Sequence, residues 1–310
     1  MRALSPKPVS GRALSPPGHG RIRRARWGGW SLAIIPALAA GWLVVYPLVF
    51  NVWTSLHINR LSPNDGQWSG LKSYQNLLKF GDLAGTLSTT LVWTVSSIVF
   101  QGLFGFALAL ALDRPGRGIS LARTLLMAPW VIPGVVVAAV WVAIYNPING
   151  LANAMLGWVG LGPVDFLGDP DTALLSLVVV NVWKGMPFWM LMLSAGLKAV
   201  PRDLYEAAQL DGASYLKQVR HVAIPGIRNV LALTAVLAFI WTFNYFDSAY
   251  AMTQGGPGRA TTTLPFDIYK TAFVFNRFDQ GAALSVISFV LMAVAIGFYM
   301  RMSRKGADND

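Results

Sequence analysis

The chain has 310 residues, of which 54% are hydrophobic and only 13% charged, against roughly a quarter charged in a soluble domain. Apolar runs longer than 18 residues recur, which puts the chain in the membrane class; with no water in the bilayer core each run must pair its own backbone groups as a helix. The net charge of +11 fits loops facing the cytoplasm better than a nucleic-acid surface, so no nucleic-acid partner is expected, and the absence of cysteine excludes disulfides, thiolate metal sites and cysteine nucleophiles.

Residues 1–27 hold seven Lys/Arg and no acid, interspersed with proline and glycine. They read as a disordered basic cytoplasmic arm against an anionic leaflet. The basic residues 21–26 ahead of an apolar run mimic a signal peptide. However, the run continues to Trp53, so cleavage would cut within the membrane, and an uncleaved first span over about residues 30–53 is expected. A polar segment and an amphipathic stretch (74–80) follow. Span 2 covers about 86–112, with Gly105 and Ala109 spaced for close helix packing. A basic loop (Arg114, Arg117, Arg123) leads to span 3, about 125–145, whose Pro129 and Pro133 predict a break in its first half. Residues 146–171 carry three Asp and no Lys or Arg. Span 4 covers about 173–197 around Pro187. After a polar loop come span 5 (about 230–252), a turn signal at Gly255, Gly256 and Pro257, and span 6 (about 282–302). The expected organisation is an arm (1–27), a six-helix transmembrane domain (28–305, polar loop about 198–226) and a tail (306–310).

Charge sets the orientation. The arm, the loops after spans 2 and 4, and the tail together hold eighteen Lys/Arg, and the alternate set of loops holds six. Both termini and the polar loop are therefore expected in the cytoplasm.

That loop contains Glu206, the only glutamate in the chain. Pro201 suits the start of a helix, where its missing N–H has no partner to lose. Asp203 and Glu206 then lie toward the positive end of the helix dipole. Leu204, Ala207, Ala208 and Asp211 share one face, and Gly212 permits a left-handed cap. A second short helix is expected over about 214–222, stopped by Pro225, which restarts the chain into span 5. The alternative, an amphipathic helix resting on lipid, calls for bulky apolar anchors and many basic residues. Here there are alanines and acids.

Glu206, Ala207 and Ala208, Gly212 four residues on, then Val222, Ile224 and Pro225 together resemble the EAA loop of permease subunits of bacterial ABC importers. Val222 and Ile224 depart conservatively from the family pattern. Segments 129–133, 149–153, 183–188, 246–247, 253–257 and 261–263 are similar to the carbohydrate branch, nearest to maltose-F-like and glycerol-phosphate-A-like subunits, and the likeness covers about residues 30–305. The resemblance implies an all-α integral membrane fold of the type I, MetI-like kind, with a coupling-helix loop between spans 4 and 5. It implies that Glu206, Ala207, Ala208, Asp211, Gly212 and Pro225 couple to a separate cytoplasmic ATPase subunit, present in two copies. A second permease subunit completing a heterodimer and an extracytoplasmic sugar-binding protein, near the Gly255–Pro257 loop, are the other implied partners. The setting would be the bacterial plasma membrane. ATP and magnesium would sit on the partner subunits and no cofactor on this chain, which has no phosphate-binding Gly-x-x-x-x-Gly-Lys-Ser/Thr loop.

Two ionisable residues fall within the expected spans, Lys184 and Asp247. Each costs about 2.5–3.5 kcal/mol at mid-helix, so neither should face lipid. They are expected to pair, or to meet through water, near a substrate path, or else to form a buried ion pair that only fixes packing. The resemblance places substrate contacts at Asn181, Lys184, Gly185, Phe188, Ala238 and Thr242. Asn181, Gly185 and Phe188 lie about a turn apart on one face. Phe188 suits stacking on a sugar ring, and Asn181 and Thr242 suit hydrogen bonds to hydroxyls. Trp241 and Asn244 are further candidates, read otherwise as helix packing. Lys184, Ala238 and Thr242 depart from the maltose pattern, so the sugar is not legible.

The competing functions are weaker. An ion-coupled secondary transporter has only Asp247 to use, and residues 30–145 and 173–302 show no internal similarity. For a membrane enzyme, three histidines outside the spans and one glutamate make no metal or general-base cluster.

Overall fold

The computed structural model describes residues 20–58, 66–113 and 116–307. Residues 1–50 and 51–310 form two compact units.

In the first unit, helix α1 (Gly20–Ser55) begins at Gly20, so residues 20–27 of the expected disordered arm are helical. Residues 1–19 lie outside the described residues. Trp42, Tyr46 and Phe50 stack at four-residue spacing, with ring centroids 5.3 and 6.0 Å apart.

In the second unit, strands β1 (His57–Ile58) and β2 (Gln67–Trp68) pair antiparallel, His57 opposite Trp68. The expected amphipathic stretch is α2 (Lys72–Phe80), which buries Ser73 and Leu77. Helix α3 (Leu83–Ala111) starts at Asp82, whose side chain accepts the Gly85 N–H. Its buried residues Thr86, Thr90, Thr94, Ser97, Gln101, Gly105 and Ala109 recur every three or four positions, a seam of small and polar side chains. Such seams let helices approach closely in lipid, where hydrophobicity gives no drive to associate.

Span 3 is broken, as its prolines predict. Helices α4 (Ile119–Leu126) and α5 (Ala128–Val131) end at Ile132, and α6 (Gly134–Ile144) leaves at 96°. Arg114 lies outside the described residues. After α7 (Leu151–Trp158), helix α8 (Pro170–Ala199) runs unbroken through Pro187 and packs along α3. In this interface Gly105 faces Trp189 and the backbone of Met186, where a Cβ would overlap them.

The polar loop forms α9 (Arg202–Leu210) and α10 (Tyr215–Gln218). Pro225 does not stop the second helix. A π turn at Val219–Ala223, in which the Ile224 N–H reaches the Val219 carbonyl, leads into α11 (Ile224–Gly226) with Pro225 in its first turn. There the missing N–H costs nothing. The break comes at Ile227, and α12 (Arg228–Phe243) departs at 70°.

Span 5 is shorter than hydropathy suggests. Helix α12 ends at Phe243 because the Asn244 amide turns back onto the Ile240 carbonyl at 2.8 Å, so Asp247 lies beyond a break and not in mid-helix. Its 16 residues extend about 24 Å at 1.5 Å per residue, short of the ~30 Å hydrocarbon core. A π turn (Ala249–Thr253), α13 (Leu264–Tyr269) and a further π turn (Lys270–Val274) lead to α14 (Phe278–Ala307). The intervening turn is stapled: Thr261 and Thr262 donate to the Gly256 and Gly255 carbonyls at 2.7 and 2.9 Å. Arg259 donates to Thr86 (2.9 Å) and Asp267 (3.1 Å), and Thr90 accepts the Leu264 N–H (2.8 Å).

Among the described residues, four helices are long and apolar enough to cross a membrane (Pro36–Ser55, Leu83–Ala111, Pro170–Ala199, Phe278–Arg301), and the two bent pairs bring the total to six.

Candidate functional site

The ends of the two broken spans meet at one cavity. It has a volume of about 470 Å³ and is walled by α3, α5, α8 and α12 with the segment after Phe243, a size typical of small-molecule sites. Irregular backbone at membrane depth survives only where protein buries it or it lines a cavity, and residues 244–247 line this one.

The structure brings together Asn181, Lys184, Gly185, Phe188, Ala238, Thr242 and Asp247, as well as Trp241 and Asn244. The wall also contains Gln101, Trp130, Ile240, Tyr245 and Phe246, which sequence reasoning did not assign. Gln101 is held on both sides of its amide: Nε2 donates to the Asn181 carbonyl at 3.0 Å, and Oε1 accepts Trp189 Nε1–H at 3.3 Å. Gly185 makes room for it, since a Cβ there would overlap the Gln101 amide. The signal for Gln101 was present in its place on the α3 seam, at the same spacing as the buried threonines.

Phe188 is only 9% exposed. Its ring is covered by Trp130, stacked at 6.2 Å, and by Trp241 at 4.8 Å. Trp130 and Trp241 are 41% and 50% exposed, so the open ring faces are theirs. Among the described residues the buried Asn181 Nδ2 group has no hydrogen-bond partner, which marks an unsatisfied donor in a residue of the cavity wall.

Among the described residues no direct ion pair joins Lys184 and Asp247, although the Asp247 charge reaches Lys184 through space. Lys184 Nζ donates to the Ile132 carbonyl at 2.6 Å, an acceptor that the break before Pro133 takes out of the helix ladder. Asp247 instead stands against Gly134, its carboxylate filling the space a Cβ would need.

The polar loop forms a second site. Helix α9 closes with paired bonds from Gly212 N–H to the Gln209 carbonyl and Ala213 N–H to the Ala208 carbonyl, and Gly212 takes φ +75°. This is the Schellman arrangement that glycine alone adopts cheaply. Leu204, Glu206, Ala207, Asp211 and Pro225 are exposed, and Ala208 is half-buried. Leu204 and Leu210 are 51% and 91% exposed. Tyr205 turns the other way and packs against the cluster containing Ala109, Leu197, Val200 and Ala223. Burial, then the nearby Asp113 and Tyr215, push its phenol up from the usual tyrosine range.

Residues 101–306 match the protein family described as binding-protein-dependent transport system inner membrane component. The trehalose/maltose transport system permease protein MalF of Thermococcus litoralis is 32% identical over 288 residues, covering 92% of this chain and 96% of that protein. A bacterial ABC transporter involved in import of the acidic polysaccharide alginate has the same fold, with a TM-score of 0.79 and 22% identity over 92% of this chain and 99% of that one. A second alginate transporter structure, in complex with an alginate-pentasaccharide-bound periplasmic protein, gives a TM-score of 0.80 at 22% identity, over 92% of this chain and 96% of that one.

Proposed function

The chain belongs to the family of binding-protein-dependent transport system inner membrane components, and from that premise we propose that it is the permease subunit of an ATP-binding cassette importer that moves a carbohydrate across the bacterial plasma membrane by ATP-driven alternating access. Its partners are a second permease subunit, two copies of a cytoplasmic ATPase subunit and an extracytoplasmic sugar-binding protein. ATP and magnesium bind the ATPase subunits. The excess of Lys/Arg on one set of loops supports both termini and α9 on the cytoplasmic side.

The observation that carries the proposal is α9. A short helix, closed by Gly212 and pinned through Tyr205, leaves Leu204, Ala207 and Asp211 exposed among the described residues. Glu206, Ala208 and Pro225 complete the surface for the ATPase cleft. The cavity between the two broken spans is the route for the sugar: Trp130 and Trp241 offer ring faces, while Asn181, Thr242 and Gln101 offer hydrogen bonds to hydroxyls. A relative whose name carries trehalose and maltose supports a saccharide. Co-purification with candidate partners tests the assembly. An ATPase subunit is expected to co-elute, and Gly212→Asp should abolish co-elution while leaving membrane insertion intact. Sugar accumulation by vesicles holding this chain alone, driven by a proton or sodium gradient, would refute the proposal and restore the ion-coupled alternative.

A further inference from the structure

We infer that Lys184 and Asp247 are positioning residues for the elbow of the broken span, each charge answering one end of a half-helix, and that the cavity consequently takes an uncharged saccharide. The substrate part of the inference rests on the carbohydrate reading above. The elbow part does not.

The Ile119–Val131 run ends at the elbow with its carbonyls pointing into the break, and α6 begins there with unpaired N–H groups. A helix leaves partial negative charge at its C-terminus and partial positive charge at its N-terminus. Lys184 meets the first end by donating to the Ile132 carbonyl at 2.6 Å. Asp247 meets the second, with its carboxylate against Gly134, the first residue of α6, and the Tyr245 hydroxyl at the same spot. Among the described residues no ion pair joins Lys184 to Asp247.

Lys184 is thus hydrogen-bonded by protein and Asp247 is packed against a helix start, both on the wall of the cavity. The same wall carries the uncharged Asn181, Thr242 and Gln101 and the Trp130 and Trp241 rings, groups suited to hydroxyls and sugar C–H surfaces. The Lys184 ammonium keeps two further donors, but the Asp247 carboxylate on the same wall opposes the charge of an acidic sugar.

The test uses the complete importer in proteoliposomes, with trehalose, diacetylchitobiose and an alginate disaccharide as probes. The native chain has no cysteine, so spin labels attached to the purified chain at Leu121→Cys and Val142→Cys, before assembly with its partners, report the distance across the elbow. The unsubstituted importer is expected to take up an uncharged probe. Lys184→Met should lower the maximum rate by at least about tenfold with KM within about twofold, the signature of an interaction outside ground-state substrate binding, and should broaden the label distance. Lys184→Arg should restore both, and Asp247→Asn should broaden the distance as Lys184→Met does. An unchanged distance in Lys184→Met, a raised KM at unchanged maximum rate, or uptake of the alginate disaccharide alone would overturn the inference. If Lys184→Met fails to insert, the distances in Lys184→Gln and Lys184→Arg decide in its place. Absence of ATP-driven uptake of every probe by the unsubstituted importer would count against the carbohydrate reading and remove the substrate part of the inference, while the label distances still decide the elbow.

Discussion

Gly185→Ala puts one methyl group into the contact between α8 and α3. The new Cβ would overlap the Gln101 amide. A flexible side chain end normally swings away cheaply, but this amide is buried and held by two hydrogen bonds, to the Asn181 carbonyl and from Trp189 Nε1. Displacing it forfeits one bond worth about 0.5–1.5 kcal/mol and leaves the buried Trp189 N–H unpaired at about 1–3 kcal/mol. Alanine in a helix interior returns about 1 kcal/mol relative to glycine. The expected net loss is therefore about 0.5–3.5 kcal/mol, read as a lowered thermal unfolding midpoint in detergent, together with reduced uptake because the amide is pushed along the cavity wall. Adding Gln101→Ala removes the overlapped group, so the double variant should be milder than the sum of the singles by about 0.5–3 kcal/mol. A Gly185→Ala protein as stable and active as the parent, or strictly additive effects in the double variant, would refute the reasoning.

Three further outcomes follow. Trp130→Ala and Trp241→Ala, the open ring faces, should each raise the apparent KM for sugar in uptake assays while leaving stability near the parent value. Phe188→Ala, covered on both sides, should instead cost about 3–5 kcal/mol in thermal unfolding. Arg259→Ala removes the bonds to Thr86 and Asp267 and should destabilise by about 1–3 kcal/mol, seen as faster proteolysis of the 253–263 loop. The partly exposed Asp82 at 3.6 Å contributes little to that figure.

Much of this molecule was legible before any coordinates. Spans 2, 4 and 6 follow from apolar run length alone, and the prolines at 129 and 133 marked the break in span 3. The Pro201 start and Gly212 marked the two ends of α9, because a left-handed cap leaves a residue-type signature. Span 5 misled because Tyr245, Phe246, Tyr250 and Met252 continue the apolar run past Asn244, and a hydropathy window cannot see a single amide turning back on its own helix. Pro225 misled for the opposite reason: a π turn absorbs a proline that a regular helix would reject. The engagement of Lys184 with a carbonyl more than fifty residues away has no local signal. The opposite signs of Lys184 and Asp247 suggested an ion pair, whereas each charge found a helix end.

The attachment of α9 has a mechanical meaning. Through its own side chains this helix grips the membrane-embedded part chiefly by the Tyr205 ring, lodged beside residues from the ends of α3 and α8. A push delivered to the outer leucines would therefore pivot on a single ring and emerge as tilt of two long rods that are packed along a shared seam. Under the proposed function the chain would be a crank with one bearing, and wear at that bearing, for instance Tyr205→Ala, would let the motor turn over without moving the load.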